Sequence, residues 1–376
     1  MVATVRAMQL GEVIRFANGK SIKPGGEGCY PVYGSNGIIG HCDEFRYENG
    51  IIIGRVGAYC GSVAYCPDRF WPSDNTLVAF PASDEFDTKF LFYLLHNTKL
   101  SRYAGGAAQP LVTQTVLKQV EVEVPPLPTQ RRIASILSAY DELIENNQRR
   151  IKILEEMARS LYREWFAHFR FPGHDKVNMV PSPLGPIPQG WEVKKLGELA
   201  TVTMGLSPKG DTYNDEEDGT PLVNGPVEFG DRFTKRAKWT TEPTKFCKEG
   251  DLVVCVRGST TGKYVKSDGV YCLGRGVCGI SSKYQCFIDL LFENELPTLL
   301  GQTSGSTFPS WTGPQLKSHP LLSPPPEVLA RFDGFVKPMS AAVLKYSRQI
   351  QNLRRTRDLL LPRLLSGQVD ISKGSA

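Results

Sequence analysis

The sequence predicts an α+β protein built from two β-rich domains and two long helices, and three observations lead to this prediction. Similar motifs occur in the same order in both halves of the chain, and short Val-, Ile- and Tyr-rich segments alternate with Gly and Pro. Two segments of roughly 35 residues, well above the usual helix length, keep an unbroken helical spacing of apolar residues. An internal duplication of this kind relates the halves by a pseudo-two-fold, so the helices are expected to pack antiparallel as a coiled coil.

Composition places the chain among soluble globular proteins of two or more domains. It has 376 residues, of which 41% are hydrophobic and 22% are charged. No apolar run approaches the roughly 18 residues of a membrane span, and the first residues lack the basic and then apolar pattern of a signal peptide. We therefore expect a cytoplasmic protein without a membrane segment.

The nine Cys are expected to be reduced thiols that serve as small buried side chains. Cys60 and Cys66 are six residues apart, as are Cys272 and Cys278, and no C-x-x-C pair occurs. These spacings differ from those of zinc ligands, so no metal site is predicted.

Three pairs of segments carry the duplication. "QLGEVIRFANGKSIKP" (9–24) resembles "KLGELATVTMGLSPKG" (195–210), and "NGIIIGRVGAYCGSVAY" (49–65) resembles "EGDLVVCVRGSTTGKYV" (249–265). "VEVPPLPTQRRIASIL" (122–137) resembles "LLSPPPEVLARFDGFV" (321–336). The offset is 186 residues at Leu10 and Leu196 and 199 residues at the proline pairs, so the second repeat is the longer one.

Each repeat has the same predicted layout: a β-rich domain, a Pro-rich hinge and a long helix. The apolar segments bounded by Gly, Pro, Asn and Asp predict strands, and "TKFLFYLLHNTKL" (88–100) predicts a short helix. A proline pair cannot lie inside a helix, so each long helix is expected to begin just after one. The predicted boundaries are 1–124 for the first domain, 125–170 for the first helix, 171–184 for a linker, 185–323 for the second domain, 324–367 for the second helix and 368–376 for a tail.

Each long helix has one apolar seam in which spacings of four and three alternate, the period of a left-handed coiled coil. The first seam is Ile133, Leu137, Tyr140, Ile144, Asn147, Ile151, Leu154, Ala158, Leu161 and Trp165. The second is Leu329, Phe332, Val336, Met339, Val343, Tyr346, Ile350, Leu353, Arg357, Leu360 and Leu364. The offset of 199 carries Leu137 onto Val336, which agrees with the proline pairs.

Two seam features stand out. Pro338 is expected to kink the second helix or to delay its start to near Lys337. Asn147 is polar where the seam is apolar, and a lone Asn of this kind lowers stability but fixes the register of pairing.

Two arrangements of the helices are open. They could be amphipathic helices buried in separate cores, or they could pack on each other. Their length and regularity favour packing, which would give a rod of about 50 Å at 1.5 Å per residue. Two domains at the ends of such a rod would form a dumbbell with a fixed separation.

The charge of the chain is concentrated on the helices. Residues 129–170 carry eight Lys or Arg against six Asp or Glu, and residues 327–367 carry eight against three. These counts give +2 and +5, so the remainder of a chain with net charge +5 sums to −2. Any nucleic-acid contact by the domains must therefore come from local basic patches.

No catalytic motif is complete. "GRGVCG" (274–279) fits G-x-G-x-x-G, but "ISSKYQCF" after it predicts strand or loop and not the helix of a dinucleotide site. "GSTTGK" (258–263) is one residue short of a P-loop, and neither H-E-x-x-H nor a methyltransferase's [N/D/S]-P-P-[Y/F] occurs. The chain is therefore predicted to be a binding protein and not an enzyme.

Three stretches together resemble one known family. They are "GGAAQPLVTQTVLKQVEVEVPPLPTQRRIASIL" (105–137), "PIPQGWEVKKLGELA" (186–200) and "IQNLRRTRDLLLPRLLSGQVDI" (350–371). In this order they are similar to the specificity subunit of type I restriction-modification systems, and the resemblance covers essentially the whole chain. The second helix departs from the pattern, because "PPPEVLARF" lacks the Gln found at Gln130.

The resemblance implies that the two domains are target recognition domains. Each would read one half of a bipartite target in double-stranded DNA, and the paired helices would set the gap between the halves. It also implies that the chain docks two modification subunits, which bind S-adenosylmethionine and methylate adenine, and that these complexes recruit ATP- and Mg-dependent restriction (translocase) subunits. The chain itself would hold no cofactor.

Candidate DNA contacts are residue types that read base edges or bind phosphates in loops. In the first domain they are Lys20, Lys23, Ser35, Asn36, Arg55, Tyr59 and Ser62. In the second they are Lys209, Arg232, Lys235, Arg236, Lys238, Arg257, Thr260, Thr261, Lys263 and Arg275. Arg55 and Arg257 are favoured because the repeat places an Arg at the end of a strand in both halves, although an Arg that supports the turn is an open alternative.

Two other functions are compatible with the sequence. A coiled-coil adaptor with two β-rich binding domains would need no DNA, and a standalone nuclease or methyltransferase would need a catalytic site. Salt-dependent DNA affinity would separate the first from a DNA-binding subunit, and activity of the purified chain would identify the second.

Overall fold

The computed structural model describes residues 5–25, 28–106, 109–303 and 309–369. The chain divides into two compact units, Met1–Asn147 with Arg348–Ala376 and Gln148–Ser347. This division cuts both long helices, so each unit holds one β-rich domain and a part of each helix. The predicted tail, 368–376, lies outside the described residues from position 370 onward.

The first unit is a six-stranded sheet covered by short helices. Its sheet order is β2-β7-β5-β6-β3-β4, in which only β3 and β6 are parallel neighbours, and β1 pairs separately with β8. The strands are β1 (Arg6–Gln9), β2 (Ile14–Asn18), β3 (Tyr30–Gly34), β4 (Gly37–Cys42), β5 (Tyr47–Gly54), β6 (Val63–Pro72), β7 (Thr76–Pro81) and β8 (Glu121–Val124). The helices are α1 (Leu10–Val13), α2 (Thr88–Thr98), α3 (Gln114–Lys118) and the first part of α4 (Leu127–Tyr162).

Both faces of this sheet are covered at the central strand β5. Its successive side chains point to opposite faces, and each set packs in its own buried cluster. Ile51 and Ile53 of β5 pack in the cluster that contains Phe90 of α2, whereas Ile52 packs with Phe70 in a second cluster. The short helix predicted for 88–100 is confirmed over Thr88–Thr98, and its first turn is capped by Asp87, whose side chain accepts from the Phe90 amide at 2.9 Å.

The second unit contains a four-stranded sheet, β12-β20-β17-β18, and a five-stranded sheet, β13-β15-β14-β19-β16. The strands are β9 (Met179–Val180), β10 (Ile187–Pro188), β11 (Glu192–Lys195), β12 (Thr201–Met204), β13 (Tyr213–Asn214), β14 (Thr220–Val223), β15 (Trp239–Thr240), β16 (Phe246–Cys247), β17 (Leu252–Cys255), β18 (Tyr264–Lys266), β19 (Tyr271–Leu273), β20 (Val277–Ser281) and β21 (Pro320–Ser323). The helices are α5 (Leu196–Leu199), α6 (Gln285–Gly301), α7 (Gly313–Ser318) and most of α8 (Pro326–Leu365).

Helix α6 corrects the expectation that strand or loop continues after "GRGVCG". The chain forms β20 and then enters α6 at Gln285. Phe287, Ile288 and Leu291 of α6 are buried in the core of the unit, and their spacing is helical. Pro297 lies inside α6. A proline is not expected within a helix, so it masks the helical spacing of the apolar residues in the sequence.

The two units repeat the same domain in detail. Arg6 of β1 pairs with Val124 of β8, and Glu192 of β11 pairs with Ser323 of β21 in the same antiparallel manner. These pairs differ by 186 residues (6 to 192) and by 199 residues (124 to 323), the two offsets found in the sequence. The strand order β2-β7-β5-β6 also recurs as β12-β20-β17-β18. The internal duplication is therefore a duplication of the fold.

The long helices pack antiparallel within each unit. In the first unit Asp141 of α4 forms an ion pair with Arg357 of α8, while Asn147, later in α4, contacts Gln349, earlier in α8. In the second unit the Arg150 guanidinium lies over the Tyr346 ring at 5.6 Å. There too, Trp165 contacts Phe332 with ring centroids 5.7 Å apart. The predicted α+β class with antiparallel long helices is thus confirmed.

The predicted seams coincide with the buried sides of the helices. The buried members are Ile133, Leu137, Ile144, Asn147, Ile151, Ala158, Trp165, Leu329, Phe332, Val336, Val343, Ile350 and Leu364. The half-buried members are Tyr140, Leu154, Leu161, Met339, Tyr346, Leu353, Arg357 and Leu360. The partner of Asn147 is Gln349, whose Oε1 accepts from Nδ2 at 3.4 Å.

Pro338 does not delay the start of the second helix, so that alternative was wrong, whereas the alternative of a kink stays a prediction. Helix α8 begins at Pro326 and continues through Pro338. A proline inside a helix costs about 3 kcal/mol because its ring meets the carbonyl four residues earlier and one hydrogen bond is lost. Burial of Phe332, Val336 and Val343 on both sides of it offsets this cost.

The described ranges contain neither a membrane-spanning helix nor a cluster of metal ligands. No helix in them is long and apolar enough to cross a membrane. They hold no group of three or more metal-ligating side chains. All nine cysteines are free thiols, and only Cys29 is exposed. Burial raises the pKa of the Cys255 thiol to about 11, which keeps it protonated at neutral pH.

Candidate nucleic-acid interface

Five segments that are distant in sequence meet in the first unit. We call them the first loop cluster: 19–20, 34–36, 55–62, 73–75 and 110–112. The Asn75 carbonyl at their centre accepts from Ser35 Oγ at 2.7 Å and from the Arg55 amide at 2.9 Å. The Lys20 amide donates to the Pro72 carbonyl at 2.9 Å, and the Arg55 carbonyl accepts from Val112 at 3.0 Å. The strand ends of the sheet thus hold these loops in one place.

The Gly-rich turn between β5 and β6 fits into this cluster only because Gly54 has no side chain. A Cβ there would lie 2.4 Å from Ser62 Oγ and 2.5 Å from the Tyr59 carbonyl. Ser62 Oγ also donates to the Ser35 carbonyl at 2.7 Å. The turn is therefore packed directly against the loop that follows β3, and its exposed residues have fixed positions.

The second unit brings an equivalent set of segments together, the second loop cluster: 205–207, 224–225, 256–263, 274–276 and 309–311. The Arg275 amide donates to Ser207 Oγ at 3.2 Å, and Ser207 Oγ donates to Asn224 Oδ1 at 3.4 Å. The Gly258 amide donates to the Pro309 carbonyl at 3.0 Å, and Thr261 Oγ1 donates to the same carbonyl at 2.7 Å.

Matching hydrogen bonds establish which residues of the clusters correspond. Gly57 donates to Pro110 as Gly258 donates to Pro309, and Val112 donates to Arg55 as Trp311 donates to Val256. Arg55 donates to Asn75 as Val256 donates to Gly276. The residues of the Gly-rich turns and of the turns at 73–76 and 274–277 therefore correspond at an offset of 201.

This correspondence corrects the pairing of Arg55 with Arg257. Both residues follow a central strand, as predicted, but Arg55 corresponds to Val256, and Arg257 corresponds to Val56. Neighbouring residues of an extended chain point to opposite sides. Arg257 is exposed and Val256 is fully buried, whereas Arg55 is half-buried. The sequence comparison missed this one-residue shift because an Arg stands one or two residues before a Gly in both halves, as in Arg55-Val56-Gly57 and Arg257-Gly258.

The clusters contain most of the predicted DNA contacts. Lys20, Ser35, Asn36, Arg55, Tyr59 and Ser62 lie in the first, and Arg257, Thr260, Thr261, Lys263 and Arg275 lie in the second. Lys23 and Lys209 are exposed beside the clusters, in the segments that continue from 19–20 and 205–207. The first cluster carries two cations and one carboxylate, Asp74, and the second carries three cations and no carboxylate.

The segment 232–238 lies elsewhere in the second unit. The Arg232 guanidinium forms an ion pair with Glu155 of α4 at 2.5 Å, so this side chain is committed to the long helix. Lys238 Nζ lies 5.8 Å from the centre of the Tyr213 ring, while Lys235 and Arg236 are exposed. The backbone of this segment pairs with Lys266 of β18 and not with the second loop cluster.

Sequence reasoning missed several polar residues of the clusters, and four of them form or flank the contacts described above. They are Asp74, Asn75, Ser207 and Asn224. Asn224 is exposed at the end of β14, and its Oδ1 occupies the space that a Cβ on Gly274 would need, 2.2 Å away. Asn and Asp between two apolar strands indicate a turn, and this pattern could have identified these residues. It was not considered, because only Lys, Arg and similar donors were taken as candidates.

Comparisons with known proteins agree with this duplicated architecture. The family model for the type I restriction modification DNA specificity domain matches residues 4–156 and again residues 188–328. The chain is 27% identical over 353 residues to the type I restriction enzyme MjaIX specificity subunit of Methanocaldococcus jannaschii, covering 89% of this chain and 81% of the relative.

A solved structure has the same fold. It is the type I restriction-modification system S subunit from M. genitalium, which superposes with a TM-score of 0.70 at 16% identity over 98% of this chain and 97% of that chain. Because the two family matches take up most of the sequence and each coincides with one copy of the duplicated domain, the chain belongs to the type I restriction modification DNA specificity domain family.

Proposed function

We propose that this chain is the DNA-specificity subunit of a type I restriction-modification complex, in which each repeat reads one half of a bipartite target in double-stranded DNA. The observation that carries the proposal is the duplicated loop cluster. Each cluster presents exposed polar side chains on a backbone fixed by hydrogen bonds between segments, as with Asn75 and Arg275. Rigid loops with Arg, Lys and Asn side chains suit base edges and phosphates.

In this proposal the antiparallel helices set the gap between the half-sites and dock two modification subunits. Continuous helices with buried seams are stiff enough to act as spacers. The helix surfaces of the second unit also expose large apolar side chains: Ile153 is 59% exposed, Met157 49% and Phe335 49%. Ile153 and Met157 are four residues apart and therefore lie on one face of α4, and exposed apolar side chains grouped in this way are typical of contacts with a partner.

The chemistry of the complex is assigned to the partners. The modification subunits would bind S-adenosylmethionine and methylate DNA, and restriction subunits would use ATP and Mg. We assign no catalytic group and no cofactor to this chain. Its contribution would be the choice of target, and the adaptor alternative, which needs no DNA, is favoured by no contact described above.

DNA binding is tested by the salt dependence of affinity for a genomic DNA fragment, measured on the full chain co-purified with a modification subunit. The dissociation constant should rise steeply with salt, because bound Lys and Arg release counterions from phosphates. Replacing Lys263 by Ala should lower the slope of log affinity against log salt by about 1. Affinity that does not change with salt would support the adaptor alternative.

The assignment of one half-site to each repeat is tested by Arg257→Ala. We expect the variant complex to lose base preference in one half of the target and to retain it in the other, because Arg257 is exposed in the second loop cluster only. Sequencing of methylated DNA measures both halves at once. Arg232→Ala is the matched control, since its guanidinium is paired with Glu155. Equal loss in both halves would contradict the assignment.

A further inference from the structure

The turn between β6 and β7 presents two exposed residues on a rigid base. Its ends, Ser73 and Thr76, are 3% and 0% exposed. The Ser73 amide donates to the Tyr33 carbonyl at 2.8 Å, and Thr76 donates to the Ser73 carbonyl through both its amide, at 3.0 Å, and Oγ1, at 2.7 Å. Asp74 and Asn75 between them are exposed at the tip. The Asn75 carbonyl also accepts hydrogen bonds from Ser35 Oγ and from the Arg55 amide, so this tip lies at the centre of the first loop cluster.

Asp74 is the carboxylate of a cluster that otherwise carries the cations Lys20 and Arg55. Among the residues that the structure describes, no hydrogen bond or ion pair is assigned to its side chain. Beside DNA, a carboxylate is repelled by phosphates, so it weakens binding unless it accepts a hydrogen bond from a base. The donors on major-groove edges are the exocyclic amines, cytosine N4 and adenine N6.

The corresponding residue of the second repeat is Arg275. The Gly274 amide donates to the Val223 carbonyl at 2.8 Å, as Ser73 donates to Tyr33. Val277 donates to Gly274 at 3.1 Å, as Thr76 donates to Ser73. The offset of 201 therefore takes Asp74 to Arg275, which is also exposed. An Arg at a base edge binds O6 and N7 of guanine with two hydrogen bonds. The duplication has kept the turn and reversed the charge at its tip.

We propose that the residue at this tip selects a base in each repeat: Asp74 accepts a hydrogen bond from the exocyclic amine of a cytosine or adenine, and Arg275 donates to a guanine. The inference rests on the proposed function, and it names which residue of each loop cluster determines sequence. The two half-sites then differ at the base pair that contacts this turn. The half read by Asp74 has a base with an exocyclic amine there, and the half read by Arg275 has a guanine.

Asp74→Ala and Asp74→Arg test the inference in the full chain co-expressed with its modification subunit. The methylated motif is read by sequencing. With Asp74→Ala, one position of one half-site should lose its preference for an amine-bearing base, by roughly 5- to 150-fold in relative affinity, the discrimination of one good base contact. With Asp74→Arg, the same position should change to guanine. The other half-site should stay unchanged, which also shows that each variant is folded.

Asp84→Ala is the matched control. Asp84 is an exposed carboxylate three residues beyond the far end of β7, whereas Asp74 lies two residues before its start. The control should leave the motif unchanged. If Asp74→Ala keeps the motif and only raises overall DNA affinity, the carboxylate merely repels phosphates and the inference is overturned. A wild-type complex without a split motif would instead overturn the proposed function, and this inference with it.

Discussion

The two repeats share a fold but are attached to their long helices by different chemistry. At the start of α4 a polar attachment is added to the buried Ile133 and Leu137: Gln130 is fully buried, and its Nε2 donates to the carbonyls of Glu85 at 3.1 Å and Pro125 at 2.9 Å. Its Oε1 accepts from the Asp87 amide at 2.9 Å. One side chain thus joins the helix, the hinge and the cap of α2.

At the start of α8 the corresponding residue is Leu329, and the attachment is apolar. Phe332 is fully buried in the core cluster that contains Phe287 of α6. It packs on Phe166 with ring centroids 4.7 Å apart, and Phe166 packs on Phe287 at 4.9 Å. Asp333 Oδ1 adds a polar link by accepting from the Phe287 amide at 3.1 Å. Aromatic pairs of this geometry contribute roughly 0.5–1.5 kcal/mol each beyond the burial of their surface.

The difference teaches that a duplicated scaffold can keep its backbone while the contacts that position each domain diverge. A buried Gln with every polar atom bonded holds one orientation, because any other would leave donors and acceptors unpaired. An aromatic cluster gives more stability from burial and less directional constraint. Each attachment can therefore be removed separately and its effect compared with the other.

The largest effect is expected from Phe332→Ala. Removing a fully buried Phe should lower the free energy of unfolding by about 3–5 kcal/mol, through lost burial and the cavity left behind. Urea denaturation measures the loss, and hydrogen exchange should place it within residues 148–347. Phe335→Ala is the control, because that ring is 49% exposed and should contribute much less. A loss no larger than the control's would contradict the apolar attachment.

A smaller effect is expected from Gln130→Leu, which gives the first repeat the residue of the second. The change leaves the Asp87 amide and two carbonyls without their partner, so the free energy of unfolding should fall by about 1–3 kcal/mol. Gln119→Leu, at an exposed position, should change little. Unchanged or increased stability would mean that Leu packs there as Leu329 does, and that the polar attachment is dispensable.

The smallest effect is expected from Asn147→Leu. Asn147 is 7% exposed, and its bond to Gln349 is long at 3.4 Å, so replacing it with an apolar residue should raise the free energy of unfolding by roughly 1 kcal/mol. The exposed Asn146→Leu is the control. If Asn147 fixes the register, the variant complex should also accept a wider range of gaps in its target. A fall in stability would show that the bond to Gln349 outweighs the seam.

Periodicity and repetition made most of the fold predictable. The seams from Ile133 to Leu364 and the paired offsets are local patterns that a chain displays directly. Helix α6 was not predicted, because Pro297 interrupts its spacing. Helix α8 continues through Pro338 because its apolar side chains are buried along the whole helix. The sequence around a proline does not show this burial, so the continuation could not be predicted.

The candidate site was less predictable because hydrogen bonds between distant segments define it. The shift between Arg55 and Arg257 is visible only through their links to Asn75 and Gly276. Asp74 was not predicted because DNA contacts were expected to be cations or neutral polar residues. Its equivalence to Arg275 in the second repeat becomes visible only when the hydrogen bonds of the two turns are compared. Arg232 has the residue type expected of a DNA contact, but its pairing with Glu155 could not be read from the sequence.

The central claim is that each repeat reads its own half of one target at a fixed gap. The most direct test is to co-express the full chain with its modification subunit and to map every methylated base in the host DNA. The account predicts one motif made of two short specified parts separated by a gap of constant length. A continuous motif, or two parts that occur at many different separations, would contradict it.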